Sequence, residues 1–201
     1  MPEDSFTQND FKLEKREELY KGIFKLARYH VKHRLFKGGE SETYTREVFE
    51  RFSAAAVLPY DPVLDRIILI EQFRAGSLQD PQSPWLLEIP AGVITKNEHP
   101  EIIAKQEAME EAGCEIKTLT PIYHYYCSPG ASTEFLNLYC GKIDAKNVEG
   151  IFGLPHEHED IRVINISRKE AMKKLNDGEI KTSPAIIALL WLELNYKTLW
   201  K

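Results

Sequence analysis

Three glutamates, Glu107, Glu110 and Glu111, fall at positions i, i+3 and i+4 of the segment Gln106-Glu107-Ala108-Met109-Glu110-Glu111-Ala112-Gly113. On a helix those positions share one face, so the three carboxylates crowd together. Like charges at that spacing repel. Divalent cations relieve the repulsion, and hard carboxylate oxygens are the ligands that Mg²⁺ and Mn²⁺ prefer. The chemistry such a face supports is that of bound divalent cations. A charge cluster alone more often just faces water, so the residues around it have to decide.

The helix that carries the glutamates is marked at both ends. Pro100 suits a first helical position and Gly113 a left-handed cap, which predicts a helix over 100–112. Ala104, Ala108 and Ala112 give it a small-residue stripe for close packing on a sheet. Ahead of it, Ala54–Leu58 and Ile67–Glu71 read as buried strands joined by a turn at Asp61-Pro62. Trp85–Ala91 reads as a further extended piece leading into Gly92. Beyond the helix, strands are expected at Ile122–Cys127, Phe135–Ile143 and Ile161–Ile166. Ser167-Arg168-Lys169-Glu170 is a capping-box pattern opening a short helix that stops near Gly178. Ser183-Pro184 opens a last helix through Leu199, with Trp191 and Trp200 as packing residues. Strands interleaved with few helices predict an α/β or α+β sandwich, not a doubly wound nucleotide fold. No G-x-G-x-x-G or Walker loop occurs.

Nearer the start, Lys12–Arg51 is charged and alternating. The set Ile23, Lys25, Ala27, Tyr29 and Val31, a Gly38-Gly39 turn and the run Thr43–Glu50 predict two or three antiparallel strands. They offer too little apolar surface to stand alone, so they are expected to lean on the main domain or on a second subunit.

With 201 residues the chain can bury one good core and a small appendage. Its 43% hydrophobic and 28% charged residues exclude disordered and fibrous classes. A net charge of -5 argues against a nucleic-acid backbone as partner. Phosphates must then be met by a few placed cations or by metal ions. No apolar run is long enough to span a membrane. Met1–Asp10 lacks a basic segment followed by an apolar stretch, so no secretory leader is expected. Cys114, Cys127 and Cys140 are odd in number and lack metal-type spacing. They read as small buried residues of a reducing compartment, which points to the cytoplasm.

Gly92, Glu98, Glu107, Glu110, Glu111 and Gly113 together resemble the Nudix box, G-x5-E-x7-R-E-U-x-E-E-x-G-U, where U is bulky and aliphatic. Ala108 and Cys114 are smaller than that pattern asks. The larger departure is Gln106 in place of the arginine. A guanidinium there would hold neighbouring carboxylates through bidentate bonds, whereas glutamine carries no charge. Lys105 points about 100° away around the helix and is a poor substitute. Outside the box, Arg46–Arg51, Glu71–Arg74, Trp85–Glu88, Ser128-Pro129-Gly130 with Glu134, Gly153–Ile161 and Ile187–Leu192 resemble the ADP-ribose pyrophosphatase branch of the Nudix hydrolases. That similarity runs from about Tyr20 to Leu194.

The resemblance implies a Nudix-type α/β/α sandwich with a mixed sheet over 52–201. A small antiparallel β-sheet over 1–51 would be exchanged within a homodimer. It further implies Mg²⁺-dependent (or Mn²⁺-dependent) hydrolysis of the pyrophosphate bond of ADP-ribose, giving AMP and ribose 5-phosphate. Glu107, Glu111 and the Ala91 carbonyl would bind metal, completed by Glu159, with Glu110 supporting or sharing that site. Glu157 would be the general base on the attacking water. Arg46 and Arg74 would hold the phosphates, and Ser128, Gly130 and Glu134 would shape the sugar end. Phe24 or Tyr29 would stack on the adenine. His156 and His158, without nearby thiolates, read as loop residues and not as zinc ligands. Two alternatives stay open. One is another nucleoside diphosphate sugar, such as GDP-mannose, as substrate. The other is a module that binds ADP-ribose without cleaving it, which the neutral Gln106 keeps in play.

Overall fold

Alternation in the N-terminal stretch produces three strands, β1 (Phe11–Lys21), β2 (Lys25–His33) and β3 (Tyr44–Glu50). They pair antiparallel in the order β1-β2-β3, with Lys25 opposite Glu50 and Tyr29 opposite Arg46. The structure, a computed structural model, describes residues 5–95 and 98–200. Met1–Asp4 of the leader reading and Lys96-Asn97 of the box lie outside the described residues. The chain divides into two compact units. One comprises Met1–Phe52 with Tyr126–Glu134, the other Ser53–Tyr125 with Phe135–Lys201.

In the first unit, charged side chains bind the strands to one another. Arg16 donates to Glu50 through Nε at 2.7 Å, and the Tyr29 hydroxyl donates to the same carboxylate at 2.7 Å. The Arg16 guanidinium pulls the Glu50 carboxyl down to about 2. Apolar residues of β1 stay in view, Phe11 at 51% and Tyr20 at 65% exposure, as expected of a sheet with little core of its own.

The second unit is built around β4 (Ala54–Asp61) and β5 (Arg66–Phe73). Successive side chains of a strand point to opposite faces. Ala56, Leu58, Tyr60, Ile67 and Leu69 therefore enter one cluster, and Ala55, Val57, Ile68 and Ile70 the other. Both faces are covered, so these strands read as continuous apolar runs. Burying each such Leu or Ile contributes about 1.5–3 kcal/mol. The turn between the strands is held by Asp61, whose Oδ1 accepts the Val63 N–H at 2.8 Å and whose Oδ2 accepts the Ala145 N–H at 2.9 Å.

Beyond that turn β4 and β5 splay, pairing only at Tyr60–Ile67 and Asp61–Arg66. The gap is filled by β6 (Trp85–Glu88), which lines β5, and β7 (Ala91–Val93), which lines β4. The extended piece expected over Trp85–Ala91 is thus broken at Ile89-Pro90, because its two ends pair with different strands. β8 (Thr118–Tyr126), β9 (Phe135–Lys142), β10 (Ile151–Phe152) and β11 (Ile161–Ser167) complete the sheet in the order β10-β11-β5-β4-β9-β8. β4 and β9 pair parallel whereas β11 and β5 pair antiparallel, so the sheet is mixed. β8 starts before the expected Ile122 and contains Pro121, which an outer strand tolerates.

Helix α1 (Pro100–Ala112) covers one face through Ile103, Ala104, Ala108 and Ala112. Helices α2 (Arg168–Asn176) and α3 (Ser183–Asn195) cover the other. The arrangement is an α/β/α sandwich with a mixed sheet. Gly113 ends α1 at φ +62, a left-handed cap donating to the Ala108 and Met109 carbonyls. Ser167 caps α2 by accepting the Glu170 N–H. The last helix stops at Asn195, short of the expected Leu199, where the Thr198 and Leu199 N–H groups turn back onto the Asn195 carbonyl. Trp200 stacks on Tyr60 and donates to Thr120.

Candidate active site

Small residues on one face of α1 set the glutamates of another. With Ala104, Ala108 and Ala112 fully buried, the helix lies low over the sheet and carries Glu111 down with it to 2% exposure. An isolated carboxylate at that depth is costly to ionise. Glu111 is held there by the Ala91 N–H, which donates to its Oε2 at 2.8 Å. Burial pushes the Glu111 carboxyl up to about 8. The Ala91 N–H and Arg74 work against that rise, and the charges of Glu107 and Glu159 add to it. Glu107 is pushed up to about 7, by burial first and then by Glu110, Glu159 and Glu157. Carboxylates on α1 and on the segment after β10 thus act together on Glu111 and Glu107.

Gly92 makes room for the second of them. A Cβ built there would stand 2.6 Å from the Glu107 γ-carbon and closer still to its carboxylate. The glycine is needed for this close approach of helix and β7.

A cation, Arg74, faces the group. Arg74 follows β5 and donates to Glu88 through Nη2 at 2.8 Å. Burial opposes its charge, yet that carboxylate, with Glu111 and Glu159, holds its pKa up. Gln106 donates from Nε2 to Glu110 Oε1 at 3.0 Å, so a neutral amide holds this carboxylate. Glu98, just ahead of α1, accepts the Thr95 N–H at 2.9 Å. Glu157 is exposed on the 3-10 turn Pro155–Glu157. Glu159 accepts the Leu154 N–H at 3.1 Å. His156 and His158 are exposed, in keeping with their reading as loop residues.

Among the described residues, no three acidic, histidine or cysteine side chains close on one point as a ready-made cage. Mg²⁺ seldom needs one; it takes one or two protein carboxylates and fills its shell with water and substrate phosphate. The buried Glu111 and the half-buried Glu107, both pushed up by burial and by neighbouring carboxylates, with Glu159 acting on each, form an all-oxygen set that fits such an ion.

The remaining expected residues lie in the first unit. Arg46, on β3, places its guanidinium 4.6 Å from the Tyr44 ring centroid and donates to the Thr45 carbonyl at 2.9 Å. Ser128 and Gly130 occupy a turn in which the Ser128 carbonyl accepts the Ala131 and Ser132 N–H groups. Glu134 accepts from Arg51 at 2.9 Å, and Arg51 packs on the rings of Phe24 and Phe49. Arg51 and Glu88 each engage a residue given a role from the sequence, yet neither is given a role itself. Their signal is membership of the runs Arg46–Arg51 and Trp85–Glu88 that carry the resemblance. Cys114 and Cys140 are buried as expected, but Cys127 is exposed, because it sits where β8 gives way to the turn.

The sequence model of the NUDIX domain matches residues 50–186. The chain belongs to the Nudix family. Among Nudix relatives, the ADP-ribose pyrophosphatase of Escherichia coli (strain K12) is 43% identical over 195 residues, covering 97% of this chain and 93% of the relative. That of Haemophilus influenzae is 42% identical over 202 residues, covering 98% and 93%. The GDP-mannose pyrophosphatase of Shigella flexneri is more distant, 30% identical over 161 residues and covering 80% and 83%. A solved structure described as "Crystal structure of ADP compounds hydrolase" superposes with a TM-score of 0.72. It covers 96% of this chain and 97% of its own at 19% identity, a likeness of fold.

Proposed function

We propose that this Nudix protein hydrolyses the pyrophosphate bond of ADP-ribose, with Mg²⁺ as its cofactor, to AMP and ribose 5-phosphate. The observation that carries the reading is the buried Glu111, which Arg74 faces, with the half-buried Glu107 beside it on α1. Carboxylates so placed need a cation, and an arginine beside them suits a phosphate. The names of the relatives at 42–43% identity support ADP-ribose over GDP-mannose.

Glu107, Glu111, Glu159 and the Ala91 carbonyl would hold the ion, with Glu110 in support. When bound, Mg²⁺ or Mn²⁺ supplies neutralisation of the pyrophosphate charge that otherwise repels a nucleophile. Glu157 takes the proton of the attacking water as its oxygen bonds to phosphorus and the bridging P–O bond breaks. Arg74 and Arg46 hold phosphate oxygens, and Ser128, Gly130 and Glu134 shape the sugar end. Residues 1–51 form a segment exchanged in a homodimer and 52–201 the hydrolase domain; the exposed Phe11 and Tyr20 support a partner for β1. The free cysteines suit a reducing cytoplasm, and no helix among the described residues is long and apolar enough to cross a membrane.

The test is incubation of purified protein with ADP-ribose or GDP-mannose across Mg²⁺ and Mn²⁺ concentrations, with chromatographic separation of products. AMP from ADP-ribose at the higher kcat/KM is expected. Preference for GDP-mannose would move the substrate assignment. Tight calorimetric binding of ADP-ribose without any AMP would replace the enzyme with a binding module.

A further inference from the structure

The segment bearing Glu157 and Glu159 has little to hold it. β10, which leads into it, is two residues long and pairs only Ile151 with Arg162 and Phe152 with Ile161. The turn that follows is closed on itself. The Glu157 and Glu159 N–H groups both donate to the Leu154 carbonyl, and the Leu154 N–H donates to the Glu159 carboxylate. Such a turn moves as one piece, so its position is set where it joins the fold.

That junction is Phe152-Gly153. The Phe152 ring is lodged against the end of α1: a Cβ on Gly113 would stand 2.7 Å from Cζ and 2.8 Å from Cε1. The other edge of the ring lies against Gly150, where a Cβ would stand 3.3 Å from Cε2. Directly after the ring, the Gly153 N–H donates to the Glu110 carbonyl at 3.3 Å. That carbonyl is one that the end of a helix leaves without an intrahelical partner. Gly153 in turn packs on Glu159, whose Cβ would stand 2.7 Å from a Cβ added there. An unbroken line of contacts runs from the end of the glutamate helix through Phe152 and Gly153 to Glu159.

We propose that Phe152 is a positioning residue, its ring seated in the Gly113–Gly150 socket fixing the Leu154–Glu159 turn over the glutamates of α1. The proposal rests on the roles given above to Glu157 and Glu159. It assigns no contact with substrate to Phe152 itself. The substrate-facing arginines belong to other elements, so loosening the seat lowers kcat and weakens the metal requirement's saturation while KM for substrate stays near its original value.

Three variants test the seat. Phe152→Leu empties it, and Gly113→Ala fills it from the helix side. Phe152→Tyr keeps the aromatic bulk but adds an oxygen at Cζ, the ring atom facing Gly113. A role in packing alone tolerates this last change at a half-buried position; a role in seating does not. Hydrogen exchange of peptides spanning 151–161 is read by mass spectrometry, beside kcat, KM and the Mg²⁺ midpoint. Exchange faster by about tenfold in all three variants is expected, with kcat down by a similar factor, the Mg²⁺ midpoint raised and KM within about twofold. Unchanged exchange overturns the proposal. So does faster exchange with kcat and Mg²⁺ midpoint unchanged. Phe152→Tyr behaving as the unaltered protein while Phe152→Leu fails also overturns it. A wild-type protein that gives no AMP refutes the functional reading instead, and the exchange measurement then decides the seat by itself.

Discussion

The carboxylate of Glu111 accepts the backbone N–H of Ala91 at 2.8 Å, which ties the fourth turn of α1 to the first residue of β7. The bond places an acidic side chain almost out of reach of water, between a helix and the strand that begins the Nudix box. A carboxylate so held serves the fold poorly when ionised and serves a cation well.

Glu111→Gln separates those two effects. Its amide oxygen still accepts the Ala91 N–H, so the fold survives while the charge goes. Turnover of ADP-ribose is expected to fall at least about 100-fold, the scale of losing a group that stabilises transition-state charge. The thermal midpoint of the metal-free protein at alkaline pH is expected to rise. Full activity in this variant would remove Glu111 from the metal site.

The two raised carboxyls also set a pH dependence. Glu107 and Glu111 are shifted upward from 4.5, to about 7 and about 8. The stability they contribute is therefore fully present below 4.5 and lost as pH rises through 7 and 8, where burial must accept the charge. Metal-free protein should show a thermal midpoint that falls between about pH 5 and 8. Added Mg²⁺ should offset the fall at pH 9 and do little at pH 6. A flat profile without metal would count against the burial of these charges.

Gly92→Ala places a methyl group where the Glu107 side chain now lies. The displaced carboxylate is expected to lower kcat by roughly 10–100-fold, the cost of misplacing a reacting group by about an ångström. Circular dichroism should be unchanged. Steady-state kinetics with Mg²⁺ titration would check it, and an unaltered kcat would mean that Glu107 need not sit there.

Gln106 holds Glu110 through one neutral hydrogen bond, an exposed i,i+4 contact worth about 0.2–0.5 kcal/mol. Gln106→Arg substitutes a charge-assisted bond, roughly twice as strong. A lower Mg²⁺ midpoint is expected, measured by titrating activity. No change would show that Glu110 is held well enough already.

Arg168 offers a control far from this chemistry. Its buried guanidinium donates to Asp65 at 2.8 Å and to Glu193, and lies 3.5 Å from the Tyr196 ring centroid. Both carboxylates are about 40% exposed. Arg168→Ala should therefore cost about 2–3 kcal/mol, below the figure for a pair buried on both sides. Chemical denaturation should register that loss while kcat/KM stays unchanged.

The sequence by itself determined the helix over 100–112, because Pro100, Gly113 and the alanine stripe act within a few residues of one another. It placed Glu107, Glu110 and Glu111 on one face, since helical spacing is local, and the fixed spacing of the box gave the family. The central strands were legible for the same reason, each an apolar run bounded by turn residues. Other features depend on partners distant in the chain. The break at Ile89-Pro90 exists because β4 and β5 part and each recruits its own neighbour. The burial of Glu111 beyond Glu107 and Glu110 follows from where α1 lands on the sheet. β10 is two residues long and has no periodicity to read, yet it seats Phe152 beside Gly113. Charge, spacing and turn chemistry are written in order along the chain, whereas depth and close approach are properties of surfaces that meet only after folding.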